Sequence, residues 1–272
     1  MTGSLSIVDG WPGSRHAAIA VGPEGVRDLH GEVDQPFALA SVTKPLVAYA
    51  VLVAIEEGSL ELDVGLPPER GTSLRHLLSH ASGMAPDEQR VAAPPGTRRI
   101  YSNAGFELIG EMLAAATAIP VEAYLREAVL TPLEMTATSL DGSPAHGATS
   151  TATDLARFAT ELLTPTLIAA TTLDEATTVQ LPGLDGVLPG FGRQSPNDWG
   201  LGFELRDAKR PHWTAPTGSP RTFGHFGRAG TFLWIDPDAR VGCAYLGEVD
   251  FGAWAIDAWP AFSAAVLEAA AR

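Results

Sequence analysis

At 272 residues, 45% of them hydrophobic, the chain can bury a substantial core in one large unit or two intimate subdomains, which excludes a disordered class. With 32 acidic against 18 basic residues its net charge is -14, which repels nucleic acid and anionic membrane surfaces and excludes nucleic-acid binding. No window reaches the ~18 apolar residues of a membrane helix. The opening MTGSLSIVDGWPGSRH lacks the basic and apolar regions of an export signal, so no membrane partner is expected and the expected location is cytoplasmic.

Taken in chain order, the first 15 residues leave room only for a short helix at SLSIVDG. Alternating apolar residues in HAAIAVG (16–22) and VRDLHG (26–31), followed by FALA (37–40), predict short strands of an antiparallel meander. From Pro45 the period changes. PLVAYAVLVAIEEG is apolar nearly all round and stops at Gly58, which predicts a helix buried between layers.

Only two lysines occur in the chain, Lys44 and Lys209, and Lys44 stands three residues after Ser41 at the mouth of this helix. Proline has no amide proton and clashes with the carbonyl four residues back, so Pro45 belongs in a first helical turn. Residues i and i+3 share a face, which sets the Ser41 hydroxyl beside the Lys44 amine at the positive end of the helix dipole. A serine needs a base to become a nucleophile, and a lysine serves when burial and nearby cations depress its pKa. Free amides at the same mouth can donate to an oxyanion. The tetrapeptide alone also fits a plain N-cap with a solvated lysine, and further motifs must decide.

Residues 60–72 are polar and proline-broken and read as a crossing into a second region. Helical spacing then marks 73–80, 103–117, 121–130 and 154–163. The stretch 180–198, rich in Gly and Pro, reads as a long loop of the kind that is more often functional than idle. Strands return at 199–206, 221–227, 230–238 and 240–248, with Asp236-Pro237-Asp238 as a turn, and a last helix spans 253–271. Cys243, the single cysteine, lies in the apolar run VGCAYL as a small buried hydrophobe. Strands at both ends enclosing helices predict an α+β fold, an α/β sandwich. One antiparallel sheet is built from both chain ends and flanked by helices, with an inserted helical subdomain. The expected division is an α/β subdomain of 1–66 and 194–272 and a mainly helical subdomain of 67–193, together one catalytic unit.

Two further motifs follow the first in order. Tyr101-Ser102-Asn103 opens the helix at 103, and His225-Phe226-Gly227 lies on a strand. With Ser41-x-x-Lys44 they resemble the serine beta-lactamase and penicillin-binding-protein superfamily, closest to its class C branch, which also holds esterases and amide hydrolases. LRHLLSHASGM (74–84), TPLEM (131–135) and GATSTATDLARFATELL (147–163) resemble the family too, so the likeness runs from about residue 17 onward. It implies a beta-lactamase/transpeptidase-like fold, Ser41 as nucleophile, Lys44 and Tyr101 as coupled acid and base, and an oxyanion hole of the Ser41 and Arg228 amides.

Chemistry gives the motif residues roles of their own. A phenol beside an ammonium has its phenolate favoured, so Tyr101 can shuttle the Ser41 proton; otherwise it is a buried aromatic. Asn103 can hold Lys44 with its carbonyl and substrate with its amide, or cap the helix that follows. Gly227 lets an acyl group approach the strand. His225 can donate to substrate or to Tyr101, or be a satisfied structural histidine, and Phe226 beside it is a substrate contact. His76 and His80, at i and i+4, have no zincin glutamate and no third ligand, so no metal and no cofactor are expected. Gly-x-Ser-x-Gly is absent, which removes the alpha/beta-hydrolase reading. LGE (246–248) stands where the family often has Leu-Thr-Asn.

The expected function is hydrolysis of a small-molecule ester or amide through an acyl-Ser41 intermediate. Three features favour small esters: no export signal, His where lactamases carry Lys, and little room for loops that grip peptidoglycan stems. The alternatives are a beta-lactamase or D-amino-acid amidase and, in another class, an acyl-binding sensor without turnover. Oligomeric state is not legible from sequence.

Overall fold

The computed structural model describes residues 4–65 and 71–272; the expected subdomain boundary at 66/67 falls outside them. A 3-10 helix, Ser4–Gly10, leads into the hairpin of β1 (His16–Gly22) and β2 (Gly25–Gly31). β3 (Phe37–Ala38) and a 3-10 turn, Ala40–Val42, precede α1 (Thr43–Glu56). α2 (Leu74–Leu78), α3 (Asn103–Thr117) and α4 (Val121–Leu125) follow, then β4 (Ser139–Leu140), β5 (Ala148–Ser150), α5 (Ala152–Leu163) and α6 (Ala170–Ala176). The short hairpin β6 (Gly186–Leu188) and β7 (Gly192–Gln194) precedes β8 (Glu204–Leu205), β9 (Phe223–Gly227), β10 (Thr231–Asp236), β11 (Val241–Gly247) and α7 (Ala253–Ala270).

The main sheet runs β2-β1-β11-β10-β9-β8, antiparallel throughout, so the two chain ends do build one sheet. Its seam is β1 on β11, from His16 opposite Gly247 to Val21 opposite Gly242. Successive side chains of a strand point to opposite faces. Ala17, Ile19 and Val21 therefore join the core that holds α1 and α5, while Ala18 and Ala20 join a second core with Trp259 and Phe262 of α7. A strand covered on both faces reads as a continuous apolar run, which is why HAAIAVG looks as it does.

α1 is the spine the sequence implies: Thr43 through Ala54 are all buried. Deep in it, Tyr49 donates to Glu161 Oε1 of α5 at 2.6 Å. The same Glu161 oxygen accepts the Thr166 and Leu167 amides at 2.8 Å each, joining spine, α5 and the following loop.

Four expectations need correction. Phe37–Ala38 leaves the meander and pairs with Ser150 and Thr149 of β5 in a separate three-stranded sheet, because the turn after Gly31 carries the chain off the edge of β2. The helix over 121–130 is α only to Leu125; a π-helical turn, Arg126–Leu130, widens it and lets Leu125, Val129 and Leu130 all bury. Residues 180–198 hold the hairpin β6–β7, hidden in sequence by its glycines, with Gly190 at φ 79° in the turn. Of the strand expected at 199–206 only Glu204–Leu205 joins the main sheet, with Trp199 in an isolated bridge to Glu204, and α6, seven residues with no capping side chain, has no counterpart in the expected elements. Cys243 is buried in β11 as anticipated. Among the described residues no single helix is long and apolar enough to cross a membrane.

Candidate active site

Ser41 sits in the 3-10 turn that runs directly into α1, and Pro45 takes the third position of that helix. Ala40, just before it, has φ 44°, a left-handed backbone that a residue with a Cβ adopts at a cost. Surrounding bonds hold the turn there. Leu39 O accepts from Thr231 Oγ1 at 2.9 Å, Leu39 N donates to Ala148 O at 2.9 Å, and Thr43 Oγ1 accepts from Ala148 N at 3.0 Å. Gly227 completes the clamp. A Cβ there would lie 2.3 Å from Leu39 O and 2.5 Å from Thr231 Oγ1, so this glycine admits the backbone that carries Ser41.

Lys44 is fully buried, and its Nζ reaches Asn103 Oδ1 at 2.8 Å, Ala145 O at 2.9 Å and Ser41 Oγ at 3.3 Å. Burial lowers its pKa to about 7, against the opposing pull of Glu107 and Asp87. A neutral amine has two N–H bonds and one lone pair. Asn103 Oδ1 and Ala145 O can only accept, so they take both N–H bonds and the lone pair is left facing Ser41. The Tyr101 ring lies 4.6 Å from Lys44 Nζ.

Asn103 is the first residue of α3, and the cap is Ser102, whose Oγ accepts from Gly105 N at 2.9 Å. The capping role considered for Asn103 therefore belongs to its neighbour. Asn103 Nδ2 donates to Asp87 Oδ1 at 2.8 Å, so one of the two amide hydrogens considered for substrate is committed inside the protein. The orientation of the amide is assigned from this network, and both ends agree.

Tyr101 departs from expectation. Burial raises its pKa, and nearby Asp87 adds to the rise, outweighing a lowering by the Ser41 hydroxyl, so the phenol and not the phenolate is favoured. Its hydroxyl is buried and close enough to Ser41 to feel it, yet makes no hydrogen bond of good geometry.

His225 also changes role. Its Nδ1 is 2.7 Å from Phe226 O, and only a protonated Nδ1 can donate to a carbonyl. Burial, with Lys44 nearby, lowers its pKa to about 3, so the ring is neutral and Nε2 is a bare, buried acceptor without a partner. It can accept from a substrate or from Tyr101, not donate. Phe226 packs on Phe251 with ring centroids 5.0 Å apart, and the exposed Arg228 side chain lies 3.8 Å from Asp250.

These residues border one cavity of about 380 Å³ that includes Ser41, Tyr101, Asn103, His225, Phe226 and Arg228. Trp199 and the β6–β7 turn close it, so the stretch 180–198 supplies a wall. Three larger hollows do not touch Ser41: one of about 580 Å³ adjoins through Tyr101 and Pro189, another of about 580 Å³ lies between β2 and α5, and one of about 550 Å³ is lined by Arg126, Met135 and Arg157. Ser41, and not size, singles out this cavity as the candidate site.

Sequence reasoning missed several supporting residues. His80 lies beyond the end of α2, so it shares no helical face with His76, which contacts Ser73 Oγ at 2.9 Å instead. His80 Nδ1 accepts the Ser102 amide at 3.2 Å and its ring lies 4.6 Å from both Tyr101 and Trp199, so it holds the Tyr-Ser-Asn segment in place. Glu107 stands four residues after Asn103 on α3, a spacing that could have flagged it. It accepts from Ser143 Oγ, which in turn accepts Ala145 N at 3.0 Å, and so fixes the loop presenting Ala145 O to Lys44. Asp87 has no local signal. Lys209, the second lysine, is also buried, donating to Glu204 and to Asp198 O at 2.6 Å, so neither lysine of this chain is a surface residue.

A family model described as Beta-lactamase matches residues 8–264. A beta-lactamase from Mycobacterium bovis superposes with a TM-score of 0.95 at 52% identity, over 97% of this chain and 98% of that one. EstCE1, a hydrolase with promiscuous acyltransferase activity, superposes with a TM-score of 0.79 over 97% of this chain and 96% of its own; at 16% identity the likeness is of fold. Penicillin-binding protein 4* of Bacillus subtilis (strain 168) is 25% identical over 134 residues, 38% of this chain. That match spans 30% of the relative's length.

Proposed function

The chain belongs to the beta-lactamase family of serine hydrolases, and from that premise we propose that it is a carboxylesterase acting on small acyl esters through an acyl-Ser41 intermediate. The observation that carries the proposal is the set of contacts at Lys44: two obligate acceptors and, 3.3 Å away, the Ser41 hydroxyl. With a pKa near 7, the amine is neutral in a large fraction of molecules at neutral pH.

Ser41 Oγ attacks the ester carbonyl and its proton passes to Lys44 Nζ. The Ser41 and Arg228 amides receive the oxyanion, each donor contributing about 2.7–4 kcal/mol. The C–O bond to the leaving alcohol breaks, and Tyr101, a protonated phenol above the same cavity, supplies its proton; Lys44 then reprotonates Tyr101. Water attacks the acyl-enzyme along the same proton path. Asn103 positions Lys44, and the bare His225 Nε2 accepts from the water or the alcohol.

Two features of the same cavity support a neutral ester over an anionic lactam, although Arg228 also lines it. His225 is uncharged, and Trp199, Phe226 and Phe251 give the wall an apolar, aromatic character. The test is turnover of p-nitrophenyl acetate or butyrate, lost in Ser41→Ala; activity that survives that substitution contradicts the proposal. A beta-lactamase is the second reading, favoured by the name of the Mycobacterium bovis relative. Nitrocefin hydrolysis exceeding that of the esters would select it.

A further inference from the structure

A second cluster of chemistry-bearing side chains lies on the first hairpin. The period of a strand puts His16 and Ala18 on one face of β1, and the register pairs Ala18 with His30 of β2, so the two histidines rise from the same face as diagonal neighbours. Their rings are near parallel, 11° apart in plane and 6.1 Å between centroids. The 3-10 helix Ser4–Gly10 packs over this face and brings in a carboxylate: Asp9 Oδ1 is 3.0 Å from His16 Nε2 and 2.7 Å from His30 Nε2. These three atoms all lie within 4.8 Å of one another.

We propose that Asp9, His16 and His30 form a binding site for a divalent first-row transition-metal ion such as Zn(II), which would staple the leading 3-10 helix to the edge of the sheet. Two imidazole nitrogens and one carboxylate oxygen suit zinc and its neighbours, whereas calcium and magnesium take oxygen ligands. The Asp9 side chain is 58% exposed, so the cluster is open to an ion from solvent, which would draw the three atoms in to the usual bond lengths of about 2.0–2.2 Å. In the metal-free cluster each ring donates its Nε2 proton to the shared Asp9 oxygen. On binding, Nε2 gives its lone pair to the metal and the proton moves to Nδ1, so a neutral ring loses no proton overall. His16 Nδ1 is buried without a partner, and a missing outer partner of this kind lowers affinity by roughly 10–100-fold. The site lies on β1 and β2, and β1 is three strand spacings, roughly 14 Å, from β9, so the ion takes no part in chemistry at Ser41.

The test is calorimetric titration of the untagged, EDTA-treated full chain with zinc chloride. One ion per chain is expected, with affinity reduced about tenfold or more in His30→Ala and Asp9→Ala. His76→Ala is expected to bind like the wild type. At a hundredfold excess over Kd the wild-type melting point rises by roughly 5 °C, and that of His30→Ala does not. Matched circular dichroism and unchanged esterase rates certify that these variants fold. No saturable binding below about 100 μM, a ceiling on affinity of roughly -5.5 kcal/mol, overturns the proposal, and so does equal binding by His30→Ala.

Discussion

Asn103 bridges an amine and a carboxylate that form no ion pair: its Oδ1 accepts from Lys44 Nζ at 2.8 Å while its Nδ2 donates to Asp87 Oδ1 at 2.8 Å. The amide thus holds the amine of the site without adding charge. Asn103→Asp places a carboxylate against Lys44, which favours the ammonium and raises its pKa. The acid limb of kcat/KM for p-nitrophenyl acetate is expected to move up by about one pH unit or more, with a loss of roughly tenfold at pH 7. An unchanged limb means that Lys44 is not the group being titrated.

Removing a distant carboxylate has the opposite sign. Glu107 and Asp87 both favour charged Lys44. Glu107→Gln keeps an acceptor for Ser143 but removes the charge, so the ammonium loses support and the acid limb moves to lower pH. Parallel pH profiles of wild type and variant measure it; a shift to higher pH contradicts the assignment.

Gly227 tests the clamp on the nucleophile. A methyl group there collides with Leu39 O and Thr231 Oγ1. Gly227→Ala is expected to cost about 1–3 kcal/mol in urea unfolding and to lower kcat as the turn bearing Ser41 shifts. Full activity and stability together would show that the strand does not position Ser41.

His225→Lys introduces a cation where the wild type has a neutral ring. The ratio of nitrocefin to p-nitrophenyl acetate turnover is expected to rise about tenfold, the effect of one charge-assisted contact worth ~1.4 kcal/mol. A falling ratio shows that charge at this position does not set preference.

Stability away from the site is carried in part by Tyr49. Tyr49→Phe leaves Glu161, 3% exposed, short of one donor, and a loss of about 1–3 kcal/mol is expected in urea denaturation.

What was legible in sequence was local. Ser41, Lys44 and Pro45 share one helical turn, and Tyr101 and Asn103 open another, so spacing alone described their neighbourhood. The two-ended sheet followed from where strand and helix periods fall. What escaped notice depends on pairings distant in sequence. Ala145 reaches Lys44 across 101 positions, and Gly227 owes its identity to Leu39, a neighbour only in the folded chain. The protonation states of Tyr101 and His225 are not legible in sequence because burial, which no motif encodes, is the largest influence on both. Asp9, His16 and His30 likewise meet only through the register of β1 on β2 and the packing of the first turn.

The central claim is that neutral Lys44 takes the proton of Ser41. The most direct measurement is the rate of covalent modification of Ser41, acylation by a slowly hydrolysed ester or phosphonylation by a fluorophosphonate with loss of fluoride, followed by mass spectrometry across pH 5 to about 10. The account predicts a rate that rises with pH through a single midpoint near 7, the value to which burial brings Lys44, and then stays level. A rate still climbing at the top of that range would assign the proton to the Tyr101 phenolate and contradict the account.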